Sequence, residues 1–185
     1  MTKKVLVVVG LVAIAIFGIV AMKYINKDIS AKNMESTLKI TSVFFDKEEI
    51  PTRYTCDGDN TSPEIFISGV SEKAKSLVLI VDDPDAPMGI FTHWLLYNIP
   101  ADTTKISSQE LPKEALQGIN DFAKVNYGGP CLPSGVHRYF FKLYSIDKIL
   151  NLDAGATKPE LQKAIRHHIL QKAELIGLYS RENDS

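Results

Sequence analysis

Residues 77–99 read LVLIVDDPDAPMGIFTHWLLYNI, two apolar runs closed around a charged, proline-stiffened loop. Leu77 to Val81 and Trp94 to Ile99 have the length and bounding turn residues of buried strands. Between them lie Asp82, Asp83, Asp85, two prolines, Gly89 and His93. Holding that much polarity between two core strands is costly unless the polar groups have partners or a task. The loop therefore reads as one wall of a binding site, carried on a β-protein.

Moving outward, the same pattern repeats. Leu38 to Phe45 alternates as a strand with one buried face, and Glu64 to Val70 is a short strand ending near Gly69. Residues 50–63 (IPTRYTCDGDNTSP) are turn-rich, with Asp-Gly followed by Asp-Asn-Thr-Ser-Pro. Residues 100–118 read as surface with a helical turn at Lys113 to Leu116, and Ile119 to Tyr127 fits neither period. Gly128 to Gly135 is loop, and Arg138 to Ile146 is an aromatic, branched strand. At the end, Thr157 with Glu160 three residues on and Pro159 in the first turn predicts a helix start. Leu161, Ala164/Ile165, His168/Ile169, Ala173 and Ile176 continue at helical spacing to Gly177. The expectation is a mainly β chain: an antiparallel β-sandwich with one C-terminal helix packed at an end.

The amino terminus differs. Val5 to Met22 is an unbroken apolar run, about 27 Å long as a helix and close to the thickness of a bilayer core. It predicts a single transmembrane anchor within residues 1–28; a cleaved secretory signal is the alternative, with Ala13-Ile14-Ala15 placed too deep in the run to suit cleavage. No cysteine near the end of the run supports a lipoprotein anchor. Lys3 and Lys4 set the amino terminus in the cytoplasm and the domain outside, although Lys23, Lys27 and Lys32 reduce the asymmetry. Residues 29–37 form a linker and residues 38–185 the domain. The whole chain carries a net charge of -1, so nothing marks it for nucleic acid.

Two loops carry candidate chemistry, and each ends in a histidine at the start of a strand. The first holds Asp82, Asp83, Asp85 and His93, which along a regular strand shares a face with Phe91, Leu95 and Tyr97. The second is GGPCLPSGVHRY, Gly128 to Tyr139, where paired glycines let the backbone approach a ligand and offer N–H groups to an anion. Either histidine alone is as readily a hydrogen-bonded core residue. No G-x-S-x-G elbow is present and Ser134 is the one serine near the second histidine, which argues against a hydrolase using Asp83 with His93 or His137. No ligand pair has the spacing of a metal site.

Together, DPDAP (Asp83 to Pro87), THW (Thr92 to Trp94), YGGPC (Tyr127 to Cys131) and GVHRY (Gly135 to Tyr139) resemble the signature regions of the phosphatidylethanolamine-binding proteins, also called Raf kinase inhibitor-like proteins, in their compact prokaryotic branch. CDGDNTSP (Cys56 to Pro63) and HILQKAELIGLY (His168 to Tyr179) support the likeness over residues 38–180. The resemblance implies two antiparallel sheets with peripheral helices and a pocket for phosphate-bearing groups such as phospholipid head groups, or for other small anions. By motif the ligand-binding residues are Asp83, Asp85, His93, Gly129, Pro130, His137, Tyr139 and Tyr179. It implies a non-enzymatic binding protein without cofactor or metal, the alternative being an inhibitor of a serine protease or kinase. Five residues separate DPDAP from His93, fewer than in eukaryotic members, and Leu132 stands where many prokaryotic members have proline.

Cys56 and Cys131 are 75 residues apart, compatible with a disulfide in an outward-facing domain or with two reduced thiols. His168 is expected in the core on the apolar helix face, and His167 in solvent.

Overall fold

The computed structural model describes residues 36–106 and 110–181, together with Met22. The chain divides into two units, Met1–Glu35 and Ser36–Ser185, and the fold lies in the second. The apolar run at 5–22 falls, apart from Met22, outside the described residues; among those described, no helix is long and apolar enough to cross a membrane.

Two sheets form the domain. The smaller has the order β1-β3-β6, from Lys39–Ser42, Ile65–Ser68 and Lys105–Ile106, all antiparallel. The larger has the order β2-β9-β8-β4-β5-β7, from Glu48–Glu49, Ile169–Ser180, Val136–Ile146, Ser76–Asp83, Phe91–Pro100 and Leu116–Gln117. Its pairings are antiparallel except that β2 runs parallel to β9.

β4 is buried along all eight residues, which explains its continuous apolar sequence: both faces of the larger sheet are covered. Leu77, Leu79 and Val81 face inward with Ile40, Ile65, Ile67, Trp94, Leu96, Phe141 and Leu143 between the sheets. Val78 and Ile80 face outward with Leu95, Tyr97, Ile146, Leu161 and Ile165. The last two belong to helix α1, Lys158–Ile165, so the helix covers the outer face of the larger sheet rather than an end of the sandwich.

The predicted start of that helix is found where expected, with the Glu160 Oε2 accepting from the Thr157 N–H and hydroxyl, both at 2.8 Å. Its predicted extent is corrected. The helix stops at Ile165, and Ile169–Ser180 is a strand paired with β8 along nearly its full length. Ala173, Leu175, Gly177 and Tyr179 form the alternating inner face. Gly177 accepts no side chain there, since a Cβ would lie 2.4 Å from Ile50 and 2.9 Å from Phe44. Gln171 stands on the same face and obscures the alternation. Its side chain bonds Ser71, Ser145, Gly69 and Ser36, fastening the chain entry to the sheet. His168 consequently leaves the core: it is half-buried in the turn before β9, with its Nδ1 2.8 Å from Asp147. His167 is exposed, as expected.

Lesser expectations also shift. The first strand is shorter, Lys39–Ser42. The turn near Lys113 closes once, Ala115 N–H to Pro112 carbonyl at 2.9 Å, and Leu116 then joins the sheet as β7.

Candidate functional site

The site forms where β4, β5 and β8 meet, on the inner face. Alternation along β4 sends its two terminal aspartates to opposite sides. Asp82 points outward and is 2 % exposed, held by Lys142 Nζ at 3.1 Å and Lys158 Nζ at 2.6 Å, which pins α1 to the sheet. Asp83 points inward. Its Oδ2 is 2.7 Å from His137 Nδ1, both side chains buried, and its Oδ1 accepts the Asp85 N–H at 2.8 Å.

His93 reaches the same face by an irregularity. Val81 pairs with Trp94 but Asp82 pairs with Thr92, so His93 is an extra residue in β5. Such a bulge re-aims a side chain. Leu95 and Tyr97 keep to the outer face, whereas the His93 ring packs 5.1 Å from Tyr139 on the inner one. The expected shared face therefore holds for Phe91, at 5.2 Å, but not for Leu95 and Tyr97. The imidazole is fixed by a reciprocal pair: Nδ1 donates to the Gly128 carbonyl at 2.7 Å, and the Gly128 N–H donates to the His93 carbonyl at 3.0 Å. Burial pushes the His93 pKa down, opposed mainly by its bond to Gly128 and by the charge of Asp83. The ring is thus held neutral with its proton on Nδ1.

Between these groups and the loops opens a cavity of about 540 Å³. Asp83, His93, Asp121, His137 and Tyr139 form its polar lining. Its walls are apolar, from Met88, Ile90, Phe91, Phe122, Leu132 and Pro133. The buried Tyr139 hydroxyl makes no hydrogen bond among the described residues, and burial raises its pKa, with the Cys131 backbone acting against the rise. Among the described residues no lysine or arginine lines the cavity.

Four residues expected to contact a ligand, Asp85, Gly129, Pro130 and Tyr179, stand outside the cavity lining and make internal bonds around it. Asp85 takes the Arg138 guanidinium in a fork, with Nε at 2.8 Å and Nη2 at 2.6 Å, and also accepts the Arg138 N–H at 3.0 Å. That pairing lowers its pKa and ties the loop to the start of β8. Gly129 gives its N–H to Asn60 Oδ1 at 2.8 Å, and the Gly128 N–H goes to His93, so neither glycine offers a free donor to an anion. The need for glycine is spatial, because a Cβ on Gly129 would lie 2.4 Å from the Tyr54 carbonyl oxygen. The Pro130 carbonyl accepts the Cys56 N–H at 2.9 Å. Tyr179, level with His137 on β9, donates to Asp57 Oδ2 at 2.9 Å.

Sequence reasoning missed Phe122 and Asn120. Phe122 packs 4.7 Å from Phe91 and 5.4 Å from His93. Asn120 places it: its Nδ2 donates to the carbonyls of Asn126 at 2.9 Å and His93 at 3.2 Å, and its Oδ1 accepts the N–H groups of Phe122 and Lys124. An Asn-Asp pair opening a segment of no clear period was the available signal, since Asx side chains organise such turns. Cys56 and Cys131 form a disulfide. Among the described residues no cluster of three or more His, Cys, Asp or Glu is placed to hold a metal ion.

A two-sheet sandwich with an apolar-walled cavity and a few convergent polar groups on its inner face defines a small-molecule-binding class of β-protein. Residues 40–180 match the family model described as phosphatidylethanolamine-binding protein, and the chain belongs to that family. Its similar relatives include a UPF0098 protein of Pyrococcus abyssi, 50% identical over 80% of this chain and 88% of the relative. Another, from Methanothermobacter thermautotrophicus, is 50% identical over 76% of this chain and 97% of the relative. Among solved structures, a phosphatidylethanolamine-binding protein homologue from Chlamydia trachomatis superposes with a TM-score of 0.76 at 37% identity, covering 80% of this chain and 99% of its own. YbcL of E. coli, described as a new member of the mammalian PEBP family, gives 0.74 at 30% identity, covering 80% and 100%.

Proposed function

We propose that this protein binds a small phosphorylated or otherwise anionic ligand non-covalently in the cavity between His93 and His137. One observation carries the reading. Each imidazole has its Nδ1 committed to an internal acceptor, Gly128 carbonyl or Asp83 carboxylate, which leaves Nε2 of both buried rings for a ligand. The orphan Tyr139 hydroxyl supplies a third polar atom in the same lining. An imidazole Nε2, which donates to phosphate when protonated and accepts from a P–OH group when neutral, and a phenol suit phosphate oxygens. The apolar walls suit a ligand with a carbon body beyond its charged group.

The cavity's own charge shapes the mechanism. With Asp83 in the lining and no lysine or arginine among the described residues there, an anion is received by proton uptake: a neutral His93 offers a lone pair at Nε2, and only its protonated form donates. A ligand that brings a P–OH group meets the neutral ring equally well. We place the domain outside the cell on a tether through residues 5–22, on the strength of that run's length, its flanking lysines and the disulfide.

The test is NMR titration of residues 34–185 with O-phosphorylethanolamine, following the imidazole signals. His93 and His137 should shift, and the shifts should vanish in His137→Ala. Absence of any shift at millimolar ligand overturns the reading, and turnover of the ligand on the same sample would replace it with an enzymatic one.

A further inference from the structure

The Cys56–Cys131 bond ties the loop of residues 54–60 to the wall of the cavity, yet backbone and side-chain bonds already join these loops. The Pro130 carbonyl accepts from Cys56, Asn60 accepts from Gly129, and the Tyr127 hydroxyl donates to the Tyr54 carbonyl at 2.9 Å. The two sulfurs differ in surroundings. Cys131 is exposed and lines the ligand cavity, which Cys56 does not, whereas both cysteines border a second cavity of about 400 Å³ beside Asn60, Lys124 and Gly129. Cys56 is half-buried, and Arg181 Nη2 lies 3.1 Å from its Sγ against 3.6 Å from that of Cys131. Asp57 grips the same guanidinium, at 2.9 Å from Nε and 3.0 Å from Nη2, and so holds it in place.

In thiol–disulfide exchange the accessible sulfur is attacked, and the sulfur whose thiolate is better stabilised leaves. A neighbouring guanidinium stabilises a thiolate. From this asymmetry we propose that Cys131 is an exchange site for small thiols, with Cys56 as the leaving group. The incoming thiolate forms a new S–S bond to Cys131 Sγ. The Cys56–Cys131 bond breaks, its electron pair goes to Cys56 Sγ beside Arg181, and the reverse step expels the small thiol. No external oxidant or reductant is needed. The adduct on Cys131 stands in the wall beside Leu132 and Pro133 and closes the cavity; this consequence rests on the binding reading, whereas the exchange does not.

The full chain in detergent solution is incubated with reduced glutathione and examined by intact mass and peptide mapping. One added glutathione per chain is expected, on Cys131, with Cys56 as the free thiol. Arg181→Gln should slow adduct formation about tenfold, and Arg181→Lys, which keeps the charge, should slow it less. An adduct on Cys56, no adduct under conditions that open an exposed model disulfide, or equal rates in wild type and Arg181→Gln each overturns the assignment. O-phosphorylethanolamine affinity is measured on the same samples and should fall at least tenfold in the adduct. Unchanged affinity in an adduct mapped to Cys131 overturns the closure. Failure of the unmodified chain to bind the probe counts against the binding reading alone, and the mass result still decides the exchange site.

Discussion

The proposed binding of an anion should depend on pH because of the groups that line the cavity. An anion placed about 5 Å from the Asp83 carboxylate, at an effective dielectric of about 20, is repelled by about 3 kcal/mol. That is roughly a hundredfold or more in affinity, and among the described residues the lining offers no lysine or arginine to offset it. Protonation of His93 does offset it, but burial holds that ring's pKa below its ordinary value, so the proton must arrive with the ligand. Linkage then requires affinity to rise as pH falls, by about one order of magnitude per unit for each proton taken up. Glycerophosphoethanolamine suits the assay because a phosphodiester keeps its single charge throughout. Calorimetry from pH 7.5 to 5.5 should show at least a tenfold gain in affinity. Repeating it in buffers of different ionisation enthalpy should show net proton uptake. An affinity that is flat or falls with acidity would refute the reasoning.

The free protein should behave oppositely. His93 has a folded pKa below its unfolded value, so its neutral form contributes stability above the unfolded pKa of about 6.5 and loses it as pH falls toward the folded value; denaturant midpoints should drop in that window, and less so in His93→Gln. Gly129→Ala forces a methyl against the Tyr54 carbonyl and should cost about 1–3 kcal/mol or more in chemical unfolding, with an unchanged midpoint as the contrary result. Replacing both Lys142 and Lys158 by alanine strands the buried Asp82 carboxylate and should cost about 3–5 kcal/mol, whereas Asp82→Asn in that background should recover part of the loss. Asp85→Asn should weaken phosphorylethanolamine binding several-fold without abolishing it, since Asp85 braces the loop through Arg138 and does not line the cavity; complete loss would place it in contact with the ligand.

Much of the fold was legible because the central strands are strongly patterned. Leu77 to Val81 and Arg138 to Ile146 announce themselves, being covered on both faces or rich in aromatic residues. The failure at Ile169–Ser180 has a physical cause: Gln171 and Gly177 occupy inner-face positions for reasons of tertiary bonding and close packing, which breaks the visible alternation. A capping signal fixes where a helix starts, and here it carried no information about where α1 ends.

The candidate site was legible in part. Asp83, His93, His137 and Tyr139 converge, but His93 does so through a bulge that no single-sequence pattern reveals. Asp85, Gly129, Pro130 and Tyr179 stand in the same motifs yet are spent on internal bonds. Motif membership does not separate a residue that meets the ligand from one that holds its neighbours. Phe122 and Asn120 act through a loop with no period at all, where only turn chemistry speaks.

The most direct test of the account is a crystal structure of residues 34–185 soaked with O-phosphorylethanolamine at pH 5.5. The account predicts phosphate oxygens within hydrogen-bond distance of Nε2 of both His93 and His137, with the carbon body against Phe122 and Leu132. A phosphate bound elsewhere, or an empty cavity at saturating ligand, would contradict it.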